Sequence, residues 1–370
     1  MKVLLINSVC GIRSTGRIVA DLADQFMADG HECRIAYGRE ETTQKYQSIS
    51  YPIGTKWEVY INAARARIMD NEGFNAKRET AKFLKWAEDY NPDLLWLHNL
   101  HGYYIHVGML FEWIKSRPKM QVRWTLHDCW AFTGHCAHFD YVKCGQWKDG
   151  CKACVQKREY PASLWRDACV KNYANKKKAF CGVKNMTLIT PSQWLADLVK
   201  QSFLKDYPVQ VVHNTIDTDA FRPTPSDFRQ RYGLEDKKLL LGVATSWSDR
   251  KGLQDFVKLS QMLDGEYQIV LVGLTQKQIR NMPENILCLL RTNSKKELAQ
   301  IYTAADVFLN FTYEDTFPTV NLEAEACGTP VICYNTGGCA ETLVRQDSKV
   351  VGSLEEAINA IYSISSYNKP

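Results

Sequence analysis

The stretch from Glu314 to Glu341 constrains this chain more than any other, because it sets glycine or proline wherever the backbone has to turn. Thr316 offers an N-cap, Pro318 suits a first helical turn, and Gly328 followed by Pro330 stops the helix, which predicts a helix from about Phe317 to Cys327. Val331 to Tyr334 reads as a buried strand, and Gly337-Gly338 turns the chain into a further helix carrying Glu341. Free amides at a helix start favour an anion, so a phosphate would sit well on the backbone after Thr316, along Phe317, Pro318, Thr319 and Val320. Glu323, further along, has two acceptor oxygens for neighbouring hydroxyls such as those of a ribose. Taken alone, the segment also fits an ordinary amphipathic helix with Val320, Ala324 and Cys327 inward.

The order of the whole stretch resembles the donor-site signature of retaining glycosyltransferases of family four. That pattern is an acid, seven residues and Glu, then Ala-x-Ala-x-Gly-x-Pro-Val and a Gly-Gly-x-x-Glu turn. Asp315 and Glu323 carry the spacing here, followed by Ala324, Ala326, Gly328, Pro330, Val331, Gly337, Gly338 and Glu341. The resemblance implies the GT-B fold, an α/β architecture of two Rossmann-like domains facing each other across a cleft. It implies transfer of a hexose, with retention, from a nucleotide-diphosphate sugar to a hydroxyl acceptor, in capsule, exopolysaccharide or lipid-linked glycan assembly. The family's first acid is Glu. Here it is Asp315 with Glu314 beside it, and either is a candidate for positioning the sugar.

A chain of 370 residues has room for two domains, each with its own core. Hydrophobic content of 45% and charged content of 24% belong to a globular enzyme. No apolar run reaches the ~18 to 20 residues of a membrane span, and Val3 to Ile6 is too short for a signal-peptide core, so a cytoplasmic protein is expected. A net charge of +5 suits an anionic ligand or the inner face of a membrane without requiring nucleic acid.

Lys2 to Asn7 reads as a buried parallel strand, residues 11–17 as a glycine loop, and the helix after it places Ile18, Leu22 and Phe26 on one side. Cys33 to Tyr37 completes a βαβ opening, which sets that loop at the carboxyl end of a strand, where open sheets bind ligands. The third glycine of a dinucleotide fingerprint is missing. The resemblance assigns Gly16 to the donor side and Ser14, Thr15 and Arg17 to the acceptor side. Asp93 to His98 is a strand leading to Asn99 and His101, further acceptor-side candidates, and Val122 to Leu126 a strand leading to His127, whose family counterpart contacts the donor sugar's hydroxyls.

Between 129 and 154 an insertion carries many of the chain's thirteen cysteines. Cys151 and Cys154 form a Cys-x-x-Cys pair that Cys136 and Cys144 would complete as a structural zinc site, with His135 and His138 as substitutes; reduced, packed thiols are the other reading. Ser163 to Phe180 is expected as a helix whose run Lys176-Lys177-Lys178 is either a solvated face or a contact with anionic lipid. The Asp217 and Asp219 pair precedes a proline-rich linker, fits turn capping, and sets the expected domains at 1–221, on the acceptor side, and 222–370, on the donor side.

In the second half, Lys238 to Ala244 is a strand and Arg250-Lys251-Gly252 opens a helix at Leu253. Two cations at a helix start oppose the dipole, and a pyrophosphate would account for them. Lys251 matches the family's Lys-Gly, whereas Ser246 stands where the family has Arg, which leaves Arg250 as its substitute. The resemblance places the loop at Arg291 against the nucleobase. It also implies that no cofactor is required and that a donor phosphate oxygen takes the acceptor's proton. The fold usually ends in a helix crossing back to the first domain, for which little chain remains after the helix expected at 353–362. A nucleotide-sugar epimerase of the same fold, and a zinc-bearing nucleic-acid module, are the alternatives.

Overall fold

A computed structural model describes residues 1–365. The chain divides into two compact units, Met1–Val212 and His213–Pro370. The division precedes the expected boundary because Ile216, Ala220 and Phe221 pack into a core of the second unit with Tyr302 and Phe308.

In the first unit, strands β1 (Lys2–Asn7), β2 (Glu32–Tyr37), β3 (Ser50–Pro52), β4 (Leu94–Leu97), β5 (Gln121–Thr125), β6 (Met186–Thr190) and β7 (Val209–Val211) form one parallel sheet, ordered β3-β2-β1-β4-β5-β6-β7. In the second, β8 (Lys238–Val243), β9 (Tyr267–Val272), β10 (Ile286–Leu289), β11 (Val307–Asn310), β12 (Val331–Tyr334) and β13 (Lys349–Val351) form another, ordered β10-β9-β8-β11-β12-β13. Strands of this kind read as unbroken apolar runs because helices cover both faces. Along β1, Leu4 and Ile6 join the core that holds Phe83 and Phe111, while Val3 and Leu5 join the one that holds Val19 and Ile35.

Each strand order reverses once, between β1 and β4 in the first sheet and between β8 and β11 in the second. At a reversal the connections leave to opposite sides, which opens a crevice beyond the carboxyl ends of the two strands. The residues that follow those strands are 8–12 and 98–101 in the first unit, and 244–251 and 311–318 in the second.

Several local expectations need correction. The first helix is Arg13–Ala28, so residues 14–17 belong to its opening turns rather than to a loop. It buries Gly16, Val19, Ala20 and Ala23 instead of the larger Ile18, Leu22 and Phe26, because small side chains let its backbone lie close to the sheet. The helix expected from Phe317 is Thr319–Ala326, with Pro318 at the N-cap and no side-chain cap from Thr316. Glu341 lies in a single 3-10 turn, Ala340–Thr342. The helix expected at 163–180 is Cys169–Phe180. Lys176 is buried on it, one turn from Asn172, Tyr173 and Phe180, and is therefore neither solvated nor available to lipid. Its Nζ donates to the Trp130 and Thr133 carbonyls at 2.7 and 3.1 Å and lies 3.6 Å from the Trp130 ring centre. Asp217 caps its turn by accepting from the Ala220 amide at 3.1 Å. Among the described residues no helix is long and apolar enough to cross a membrane.

Candidate active site

In the second unit the segment after β11 is held from two sides by glycine turns. Gly252 has φ +73°, and a Cβ there would lie 2.1 Å from the Phe311 carbonyl oxygen. Gly337 has φ +55°, and a Cβ there would lie 1.9 Å from the Asp315 carbonyl oxygen, which accepts from the Gly338 amide at 3.0 Å. Only glycine permits both approaches. Thr336 Oγ1 adds a hydrogen bond to the Thr312 carbonyl at 2.6 Å. The Lys-Gly and Gly-Gly elements are thus two jaws on one acidic segment.

Within that segment the two neighbouring acids have different surroundings. Glu314 is 1% exposed, and its carbonyl accepts from Arg250 Nη1 at 2.8 Å. The Asp315 side chain is 22% exposed and forms an ion pair with Lys251 Nζ at 2.5 Å. Arg250 returns a second contact, its carbonyl accepting from the Tyr313 amide at 2.9 Å. Arg250 therefore shapes the loop, and Lys251 is the cation that faces the accessible carboxylate.

The helix Thr319–Ala326 follows directly, and its first turn has no side-chain cap. Buried Asn321 anchors it, accepting from Asn310 Nδ2 and donating to Thr342 Oγ1, both at 2.8 Å. Thr316 and Phe317 are buried, and Thr319 and Val320 half-buried, at its start. The His213 ring lies 4.9 Å from that of Phe317, and its Nε2 is 3.7 Å from Glu341. Glu323 accepts from Tyr302 Oη at 3.1 Å. Burial pushes the Tyr302 hydroxyl well up in pKa, so it remains a donor and orients the carboxylate. Tyr302 and His213 escaped the sequence reading, which had no spacing rule to tie them to the acidic helix. Arg291 stands exposed in the stretch between β10 and the helix Lys295–Ala304.

In the first unit the ends of β1, β4 and β5 bring polar groups together. Asn7 donates to the Val9 carbonyl at 2.7 Å and to Thr15 Oγ1 at 3.4 Å, and accepts from the Asn99 amide at 3.2 Å. Gly16 is buried against Val9, whereas Ser14 and Arg17 are exposed. His127 Nε2 lies 3.0 Å from His98 Nδ1, with the rings stacked. His101 bridges Asp128 at 2.8 Å and Tyr160 Oη at 2.9 Å. Burial would raise Asp128, but the charge and hydrogen bond of His101 hold it well below the usual carboxylate range. Asp128 and Tyr160 are further groups that sequence alone did not assign.

Burial pushes His127 down to about 4, against the pull of Asp128, and pushes His98 well down too. Both rings are neutral in the fold, whereas in the unfolded chain they take up protons near pH ~6.5. Their contribution is therefore in place above that pH and declines as pH falls toward about 4. Chemical unfolding at pH 7 and pH 5 should show the protein losing stability, and His127→Gln losing less of it over the same interval. An equal loss in the variant would assign the effect to other groups.

Residues 15–220 match Glycosyltransferase Family 4, and residues 226–364 match Glycosyl transferases group 1. The chain belongs to glycosyltransferase family 4. This glycosyltransferase is 24% identical, over 98% of its length and 89% of the relative's, to WcaC of Escherichia coli (strain K12), named for colanic acid biosynthesis. It is 25% identical to the alpha-galactosylglucosyldiacylglycerol synthase of Streptococcus pneumoniae, over 40% of this chain and 43% of that one. Anabaena HepE, solved with UDP, superposes with a TM-score of 0.66 at 15% identity, over 99% of the glycosyltransferase and 90% of HepE. The fold is that of the GT-B enzymes. Because these relatives are transferases, the epimerase alternative has no support among them. The cysteine-bearing segment is built into the first unit, with Cys136, Phe139 and Trp147 in its core, and is not a separate module.

Proposed function

We propose that this glycosyltransferase moves a sugar, with retention, from a nucleotide-diphosphate sugar to a hydroxyl of a growing polysaccharide or a lipid-linked glycan. The observation that carries the reading is the Lys251–Asp315 pair beside an uncapped helix start, fixed there by two glycine jaws. As the sugar–phosphate bond breaks, charge develops on the diphosphate. Lys251 and the amides around Thr319 are pre-placed to take it, so the leaving group needs no proton. Asp315, the less buried acid of the two, positions the donor sugar, and Glu323 with Tyr302 behind it holds the ribose hydroxyls. His127, neutral, exchanges hydrogen bonds with sugar hydroxyls, and Asn99, His101, Ser14, Thr15 and Arg17 serve the acceptor. The acceptor's proton goes to a donor phosphate oxygen on the same face. HepE, solved with UDP, supports the nucleotide half of this reading, and the colanic acid and glycolipid names of the relatives support the acceptor half.

A lipid-linked acceptor would hold the enzyme at the inner face of a membrane. An open groove of 470 Å³ in the first unit, lined by Lys77, Lys115, Arg166, Lys171 and Lys178 with Glu112 as its one acid, supports that placement.

The test is a panel of nucleotide sugars, recording which raises the melting temperature of the protein. One base–sugar combination should do so, and Glu323→Ala, folded as the parent, should lose the shift and at least about tenfold in transfer rate. No shift with any nucleotide sugar, or a full shift in Glu323→Ala, would overturn the assignment.

A further inference from the structure

Residues 133–168 form no strand or helix beyond one 3-10 turn, Gln146–Lys148. So long an irregular stretch inside a compact unit needs something other than backbone pairing to fix it. Four of its cysteines, Cys136, Cys144, Cys151 and Cys154, line a single cavity of 20 Å³ together with His135. That is room for one ion. The Cys136 thiol is hydrogen-bonded to Cys154, and the Gly134 amide donates to Cys151 Sγ at 3.2 Å, the kind of donor that supports a metal-bound thiolate.

Two further polar groups border the cavity. Lys176, wholly buried, donates to the Trp130 and Thr133 carbonyls and lies within electrostatic reach of Cys136 and Cys151 as well as of Glu72 and Asp128. The His135 side chain is 1% exposed, with Nδ1 held by Asp70 at 2.5 Å and Nε2 buried without a partner beside Cys154. Four thiolates on a divalent ion carry a net double negative charge, which adds to Glu72 and Asp128 in balancing Lys176, and the ion they hold would lie beside the unpartnered His135 Nε2.

We propose that Cys136, Cys144, Cys151 and Cys154 bind one zinc ion as a tetrathiolate, a structural staple for the irregular half of the first unit. As the side chains stand, no three ligating groups among the described residues converge on one point. Binding therefore includes a closure in which each thiol loses its proton to solvent and turns onto the ion at about 2.3 Å.

The test uses the full chain purified without chelator. Elemental analysis should find about one zinc per chain, and cobalt(II) in its place should give the thiolate-to-metal absorption and intense visible bands of a tetrahedral sulfur site. Cys144→Ser and Cys154→Ser should each abolish or alter those bands. Cys181→Ser, whose thiol bonds to the Phe203 carbonyl, should leave them unchanged. Protein that is metal-free as purified and takes up neither zinc nor cobalt, or a cobalt spectrum indifferent to Cys144→Ser, would overturn the proposal. The unsubstituted protein alone decides the first of these, whether or not the variants fold, and neither readout depends on sugar transfer.

Discussion

Replacing Lys251 with alanine is expected to lower kcat/KM for sugar transfer by at least about tenfold, or about 1.4 kcal/mol of transition-state binding, while the fold stays intact. The side chain is 24% exposed and pairs with Asp315, so little packing is lost with it. What disappears is the cation that meets charge as it develops on the leaving diphosphate. The loss should fall on kcat, because the need for that cation is greatest once the bond is breaking. Asp315→Asn separates the two halves of the pair: it keeps the volume and frees Lys251. If the acid serves only to hold the lysine, Asp315→Asn should cost much less than Lys251→Ala, and if it grips the sugar the costs should be comparable. A Lys251→Ala enzyme with the parent's rate would remove the donor site from this place.

The second large effect belongs to Gly337→Ala. At φ +55° any other residue is strained, and the added Cβ would meet the Asp315 carbonyl oxygen at 1.9 Å. The turn and the acidic segment cannot both keep their positions, so the substitution should destabilise the second unit by about 2 kcal/mol or more. Sugar transfer should fall at least about tenfold as Asp315 moves, even at temperatures where the protein is folded. Gly265→Ala is the matched control, since nothing lies within 4 Å of the Cβ it would add. Equal melting temperatures for the two variants would show that the turn yields without disturbing the acid.

Much of this arrangement was legible in the sequence where local chemistry and tertiary placement agree. Buried parallel strands announce themselves as apolar runs, and β1, β2, β4, β5, β8 and β12 fall within a residue of their expected bounds. Ser294 reads as an N-cap and is one, accepting from the Glu297 amide at 3.1 Å. The helix Lys56–Met69 went unassigned although Thr55 and Glu58 form a capping box, because its outer face carries Trp57, Tyr60 and Ile61 and blurs the apolar periodicity. Lys176 shows the opposite failure. Three lysines in a row look like one feature, but a helix turns about 100° per residue, so the first enters the core while its neighbours stay in water. The pairings at the site were unreadable for a related reason. Spacing relates Asp315 to Glu323, but nothing local says that Tyr302 will stand behind one and Lys251 in front of the other.

The ion pair between Lys251 and Asp315 also bears on what the site ignores. A bare lysine at a helix start would attract any small anion, and inorganic phosphate would compete with every donor. Here the lysine already has an internal counter-ion at 2.5 Å. An incoming group has to offer more than Asp315 does, and a single phosphate brings little beyond the charge it must replace. A diphosphate that also reaches the helix amides, carrying a sugar whose hydroxyls occupy the released carboxylate, repays the exchange at both ends. If the proposed donor site is right, the resting pair acts as a filter, favouring over the commonest anions the one class that can satisfy lysine and aspartate together.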